Sequence, residues 1–342
     1  MKSIVRRLYY HRHRPFTPWP RIVIGAPDSW DHVVSISNKN HEYGSCIWSP
    51  CGRFVAAQVT EAVEIRDQLT FELLSTLQPT ETIHLLTGPL AYSPDGRSIA
   101  CGSDTFIVIW DTQTGGVAEE IPCGPKNISM VWSLDGRKIG FIDTHKRVRT
   151  HDITSGTTAS FETPLSTADP YIWPHERTFR IFTTAPSDSY LEAAVNIFEV
   201  GHTLIKIYSF TFTMLHTPLN ISFSPTTCRF AISAGCELLI FENWSLIYQP
   251  LDCDHLSSHR FSPDGSFFAA VMEARIRVWE YSPRRYEQRW ELLCPGRTDG
   301  FLQFSPTQWS ILGSFGSILH GWRLNDIDII PGTDRRDRKS VV

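Results

Sequence analysis

An all-β chain of seven repeated four-stranded sheets, arranged radially, is the fold class this sequence predicts, on three observations. One phrase recurs at a near-constant step, each copy turns on a Pro/Gly-type reversal, and an aromatic or polar residue closes the third apolar run. The fullest copy is LAYSPDGRSIACGSDTFIVIWDTQTGG (90–116). It returns as IWSPCGRFVAAQVTEAVEIRD (47–67), VWSLDGRKIGFIDTHKRVRTHD (131–152) and RFSPDGSFFAAVMEARIRVWE (260–280). Worn copies stand at 171–200, 221–242 and 303–323. Aligned on the residue before Pro, or before Leu134 in one copy, they fall at 49, 93, 133, 173, 224, 262 and 305, a period of about forty residues.

The elements of each unit follow in order. A β-branched or aromatic run ends at Ser-Pro-Asp-Gly, where Pro fixes φ and Gly accepts a positive φ. A second run of small apolar residues (SIACGS, FFAAVM) leads to a tight reversal and a third, alternating run (FIVIWD, IRVWE). A polar turn (TQTGG, ITSGT) then precedes a weaker fourth run (VAEEI). Four antiparallel strands with the inner ones more apolar form the blade of a β-propeller, and one such sheet buries its faces only against neighbours. The fourth unit takes a 51-residue step, which predicts a long hairpin loop at APSDSYLEAA (185–194). After Trp322 few residues remain before Pro331-Gly332, whereas DHVVSISN (31–38) alternates like an outer strand ahead of the first unit. The N-terminal strand is therefore expected to close the ring as the outer strand of the seventh blade, removing two exposed edges.

This divides the chain into a basic arm (1–29), a seven-bladed propeller (30–330) and a charged tail (331–342). The arm carries six Lys or Arg and no acid before Asp28. A net charge of −4 and a pI near 6.3 make the whole chain a poor match for a polyphosphate backbone, so no nucleic-acid partner is expected. Eight cysteines never fall as C-x-x-C, and no apolar run approaches a membrane span. They read as small buried hydrophobes in a reducing, cytoplasmic compartment.

The units resemble the WD repeats of the β-propeller family, on the Ser-Pro-Asp-Gly turns at 93–96 and 262–265 and the strand ends Trp110-Asp111 and Trp279-Glu280. The spelling is also similar to the WD-repeat arrays of fungal proteins, which often follow a NACHT-type nucleotide-binding module. No Gly-Lys-Ser/Thr phosphate loop is present in this chain. The resemblance implies a non-catalytic protein-interaction scaffold, here a free-standing relative of the sensing or adaptor end of NACHT-type proteins. Well-kept members hold a hydrogen-bonded His, Ser/Thr, Asp and Trp in each blade. His41, His216 and His255 stand in the matching place, but the reversal Asp reads as lost, with Glu61 and Glu273 the nearest equivalents. Blades should then rely on apolar packing more than on polar networks. A cullin-ligase receptor would need Arg two places after Trp-Asp, where this chain has Gln113 and Ser282.

Catalytic signals are absent from the sequence: no H-E-x-x-H, G-x-S-x-G, dinucleotide fingerprint or clustered metal ligands. Ser93-Pro-Asp-Gly96 misses the sialidase Asp-box, Ser-x-Asp-x-Gly, by one residue. No enzyme, cofactor or metal is expected; the opposing reading is a propeller hydrolase with its site at the channel mouth. A monomeric ring presenting variable loops on a rigid frame suits a protein or peptide partner within a complex, with no membrane contact. On the face of the second-to-third reversals and first-strand entries the candidate contacts are Glu61, His84, Asp104, Lys126, His145, Lys146, Glu237, Glu273 and Arg275. Tyr190 and Leu191 join them on the fourth unit's loop. The mixture of signs fits a protein surface.

Overall fold

The computed structural model describes residues 30–37, 44–80, 86–123, 127–143, 145–163, 170–175, 178–186, 192–213, 220–234, 236–243, 245–249, 256–272, 275–282, 285–293, 301–308, 310–315 and 318–324. All regular structure among them is β-strand. Blade 1 is β2 (Cys46–Trp48), β3 (Phe54–Val59), β4 (Ala62–Asp67) and β5 (Leu73–Leu77). Blade 2 is β6 (Leu86–Tyr92), β7 (Ser98–Ser103), β8 (Phe106–Asp111) and β9 (Val117–Pro122). Blade 3 is β10 (Asn127–Trp132), β11 (Lys138–Asp143), β12 (Val148–Asp152) and β13 (Thr157–Phe161). Blade 4 is β14 (Tyr171–His175), β15 (Thr178–Pro186), β16 (Glu192–Val200) and β17 (Leu204–Thr213). Blade 5 is β18 (Asn220–Phe223), β19 (Arg229–Ala234), β20 (Glu237–Glu242) and β21 (Ser245–Tyr248). Blade 6 is β22 (Leu256–Phe261), β23 (Phe267–Met272), β24 (Arg275–Ser282) and β25 (Arg285–Leu293).

Blade 7 joins both ends of the chain. Its order is β26 (Phe301–Phe304), β27 (Ser310–Phe315), β28 (Ile318–Leu324) and, outermost, β1 (Trp30–Ser37). β1 runs antiparallel to β28 from Trp30 opposite Leu324 to Ser37 opposite Ile318. The ring is thus closed by the N-terminal strand, as the sequence predicts.

Period-2 alternation distributes each blade between two cores. In β8, Val108 and Trp110 pack toward blade 1, and Ile107 and Ile109 toward blade 3. One apolar cluster fills each of the seven seams, the last holding Leu312 and Leu319 of blade 7 with Val55 and Trp48 of blade 1. Among the described residues no helix is long and apolar enough to cross a membrane.

The Ser-Pro-Asp-Gly turn is held by more than Pro and Gly. Ser93 Oγ accepts from the Ser98 amide (2.9 Å) and donates to Asp95 Oδ1 (2.6 Å), and blades 3 and 6 repeat this at Ser133–Asp135 and Ser262–Asp264. In blade 1 the Asp place holds Cys51, whose Sγ lies 3.3 Å from Ser49 Oγ. Gly52 and Gly96 take φ of +70° and +73°, and each turn leans on that of the preceding blade, Gly96 on Pro50 and Gly52 on Thr307 across the closure.

Two local expectations change. The stretch 185–194 is not a long hairpin loop: β15 and β16 continue their ladder to Pro186 opposite Ala193, leaving 187–191 outside the described residues. Extra length in this unit therefore lengthens the strands of blade 4. The β4-to-β5 turn places Phe71 at φ +56°, where blades 2 and 3 have Gly115 and Gly156. A left-handed conformation disfavours a side chain with Cβ, but Phe71 is only 3% exposed in the seam between blades 7 and 1. Burial of that ring, worth about 1.5–3 kcal/mol, outweighs a backbone cost of roughly 1–2 kcal/mol.

Candidate functional site

The described candidates sit at or beside the second-to-third reversals, where the repeat alignment puts them. Glu61 is exposed in the two-residue reversal between Val59 and Ala62, and Asp104 is exposed beyond Ser103. His145 is exposed and Lys146 half-buried between β11 and β12. Glu237 opens β20, half-buried, and Arg275 opens β24, exposed but ion-paired with Glu291 of β25. His84, Lys126, Tyr190, Leu191 and Glu273 lie outside the described residues, as do His41, His216 and His255.

The residue that shapes this face in blade 3 is Asp143, which the sequence reading passed over. Its side chain is fully buried; Oδ1 accepts from the amides of His145 (2.9 Å) and Arg147 (3.0 Å). Oδ2 accepts from Arg147 Nε (2.9 Å) and lies 2.9 Å from its Nη2. Lys146 between them adopts φ +60°, and its carbonyl accepts from Thr163 Oγ1. The result is a clamped tip at 145–147, with Arg147 paired to Asp143, on the blade next to the exposed Asp104. Blade 3 thus keeps the reversal Asp, contrary to the expectation that it is lost. A step of forty from Ser103 reaches Asp143 and would have found it; Ser103 does the same work with a neutral group, accepting from the Phe106 amide at 2.9 Å. Asp143→Ala is expected to cost about 2–3 kcal/mol, because charge-assisted bonds are lost and Arg147 is stranded. Asp143→Asn should retain more than half of that; the check is denaturant unfolding together with faster amide exchange at His145 and Arg147.

Polar networks are present, but many of them cross seams, contrary to the expectation of mainly apolar blades. Trp110, fully buried, donates from Nε1 to Gln78 O of the preceding blade at 2.8 Å. His151 stands in the equivalent place in blade 3, with Nε2 2.8 Å from Glu119 Oε1 of blade 2 and Nδ1 2.8 Å from Thr158 Oγ1. Between blades 5 and 6, Arg229 stacks 3.7 Å above the Tyr281 ring and donates to Gly265 O and Tyr286 Oη. Burial pushes the Tyr286 hydroxyl up to about 12. His259 of β22 is fully buried between Ser222 Oγ (2.7 Å) and Ser233 Oγ (3.1 Å) of blade 5. Burial, with Arg260 nearby, depresses it to about 3, so it is a neutral strut.

The described cysteines differ in exposure, with Cys228 intermediate. Cys46, Cys101 and Cys123 are buried, and burial raises their thiols, to about 12 for Cys46 and about 11 for Cys123, which makes them poor nucleophiles. Cys51 and Cys236 are exposed, against the expectation of uniform burial. Among the described residues no group of three or more His, Cys, Asp or Glu could hold a metal ion.

Comparison with known proteins agrees with this architecture. The family model described as "WD domain, G-beta repeat" matches residues 90–111, the phrase with the fullest spelling. No curated protein sequence matches the chain. The structure of U3-55K superposes with a TM-score of 0.69 at 10% identity, covering 86% of this chain and 98% of that one. The crystal structure of the RRP9 WD40 repeats superposes with a TM-score of 0.70 at 10% identity, covering 87% and 100%. Likeness at that identity concerns the fold alone. With seven blades in a ring closed by the N-terminal strand and a WD repeat matched in blade 2, the chain has the seven-bladed β-propeller fold, and its second blade is similar to a WD repeat.

Proposed function

We propose that the protein is a non-catalytic protein-interaction scaffold that engages a protein or peptide through the reversal face of blades 1 to 3 and blade 6. The observation that carries this reading is the clamp at Asp143. A buried carboxylate fixes the backbone of an exposed His145 and its neighbours, so the tip is held rigid, the arrangement that lowers the ordering cost of binding a complementary surface. Glu61 and Asp104 on the adjoining blades supply the sign opposite to that of Lys146. That alternation suits a folded or extended polypeptide of mixed charge better than a nucleic acid or an anionic membrane.

The partner is a cytoplasmic protein that the propeller joins as a single ring. The buried thiols of Cys46 and Cys101 suit a reducing compartment. A sensing or adaptor role beside a NACHT-type nucleotide-binding protein is the finer form of the proposal, supported by the repeat spelling at 90–116 and 260–280. The test is affinity capture from an extract of the source organism, with a Glu61→Ala, Lys146→Ala, Arg275→Ala variant run in parallel. A partner retained by the unmodified protein and weakened at least tenfold by the variant is expected. A partner indifferent to the three changes, or no partner, would contradict the assignment of this face.

A further inference from the structure

The seam that closes the ring contains a small cavity. It is walled by Phe71 and Trp322 and lined by four polar side chains, Trp48, Gln68, Ser310 and Arg323. One buried polar atom of each has no hydrogen-bonding partner in the protein: Trp48 Nε1, Gln68 Oε1, Ser310 Oγ and Arg323 Nε. Trp48, Gln68 and Ser310 are 8%, 6% and 4% exposed, so bulk solvent does not readily satisfy them. A buried polar group without a partner is costly, and four in one cavity is a concentration that demands a common partner.

The repeat shows why the partner is needed here. At the start of the second strand and the end of the third, each blade faces one residue across the pair: Phe54 with Asp67, Ser98 with Asp111, Lys138 with Asp152, Arg180 with Glu199, Arg229 with Glu242 and Phe267 with Glu280. The third-strand member is an acid in all six. In blade 7 it is Arg323, opposite Ser310. Blades 3, 4 and 5 answer their acid with a cation, at Lys138–Asp152, Arg180–Glu199 and Arg229–Glu242. Blade 7 reverses the sign: Arg323 stands opposite Ser310 on one side and opposite Asp31 of β1 on the other, and Gln68 of blade 1 shares the cavity with it as a neutral amide.

We propose that this cavity binds one internal water molecule that bolts blade 7 to blade 1. Two of the orphaned atoms, Trp48 Nε1–H and Arg323 Nε–H, donate; Gln68 Oε1 accepts, and the Ser310 hydroxyl can accept. A water accepts two hydrogen bonds and donates two, so one molecule satisfies the set completely. The cavity offers about 10 Å³ for its centre, close to the space one water needs. A halide or a carboxylate oxygen would take the two donors but leave Gln68 Oε1 facing negative charge, which disfavours an anion. The water completes in polar terms the closure that the β1–β28 ladder makes through the backbone, because Trp48 and Gln68 belong to the first blade and Ser310 and Arg323 to the last.

The test uses the full chain carrying 15N-labelled tryptophan. Water-selective NOE and ROE spectra should give cross-peaks of opposite sign at the Trp48 indole proton, the signature of a long-resident water, and Trp48→Phe identifies the resonance by removing it. Gln68→Leu, which deletes the acceptor, should accelerate solvent exchange of that indole proton at least tenfold. A crystal of the unmodified protein provides a reading independent of any variant's folding: an oxygen within hydrogen-bond range of all four atoms supports the proposal. Absence of a water cross-peak at Trp48, an unoccupied cavity in the crystal, or an anomalous bromide peak among the four side chains would overturn it.

Discussion

A chain that begins at residue 43 is expected to lose on the order of 5 kcal/mol of unfolding free energy and to melt at a much lower temperature. Removing β1 strips β28 of its ladder from Ile318 to Leu324 and turns its backbone into an open edge. Leu319 and Trp322, 0% and 2% exposed, belong to the clusters on either side of blade 7, so both seams loosen together. Each of these side chains contributes about 1.5–3 kcal/mol by burial, before the ladder itself is considered. Calorimetry or guanidinium unfolding checks the result. An unchanged melting curve would show that the last three strands hold without the first.

The second large effect is a loss of stability in mild acid, traced to His259. In the unfolded chain its imidazole titrates near the ordinary 6.5, whereas in the folded ring burial holds it at about 3. Above 6.5 neither state is protonated and the residue adds no pH dependence. Between 6.5 and 3 the unfolded chain binds a proton that the folded ring refuses, so stability falls as pH falls, by about tenfold in the folding equilibrium per pH unit. Below 3 both states are protonated and the slope ends. His259→Gln keeps groups able to bond Ser222 and Ser233 without the titration. The difference in unfolding free energy between the two proteins should therefore change steeply from pH 6 to pH 4 and be flat from pH 7 to pH 9; parallel curves throughout would refute the assignment.

Much of the ring was legible because its determinants are local. Ser-Pro-Asp-Gly at 93–96 fixes its own turn through bonds spanning two to five residues, and the alternation in FIVIWD assigns Val108 and Trp110 to one seam and Ile107 and Ile109 to the other. Closure was legible for a similar reason, a surplus strand at 31–38 ahead of the first unit and a missing outer strand in the last. What stayed hidden depends on partners far off in sequence. His151 substitutes for a tryptophan because Glu119, 32 residues earlier, lies across the seam, and Arg229 meets Tyr286, 57 residues later. Phe71 defies its backbone preference because a neighbouring blade buries it. Asp143 was hidden differently: the longer reversal of blade 3 obscured a register that the forty-residue step preserves. The contact face was legible only as a set of positions, since charge at a loop tip says where a partner could touch but not which one does.

Hydrogen–deuterium exchange on the intact protein and on the chain lacking residues 1–42 tests closure most directly. Peptides spanning 31–37 and 318–324 in the intact protein should be as protected as those from β23, and protection over 318–324 and 310–315 should collapse when the first 42 residues are removed. Full protection of 318–324 in the shortened chain, or rapid exchange across 31–37 in the intact one, would mean that the ring is not closed by its N-terminal strand.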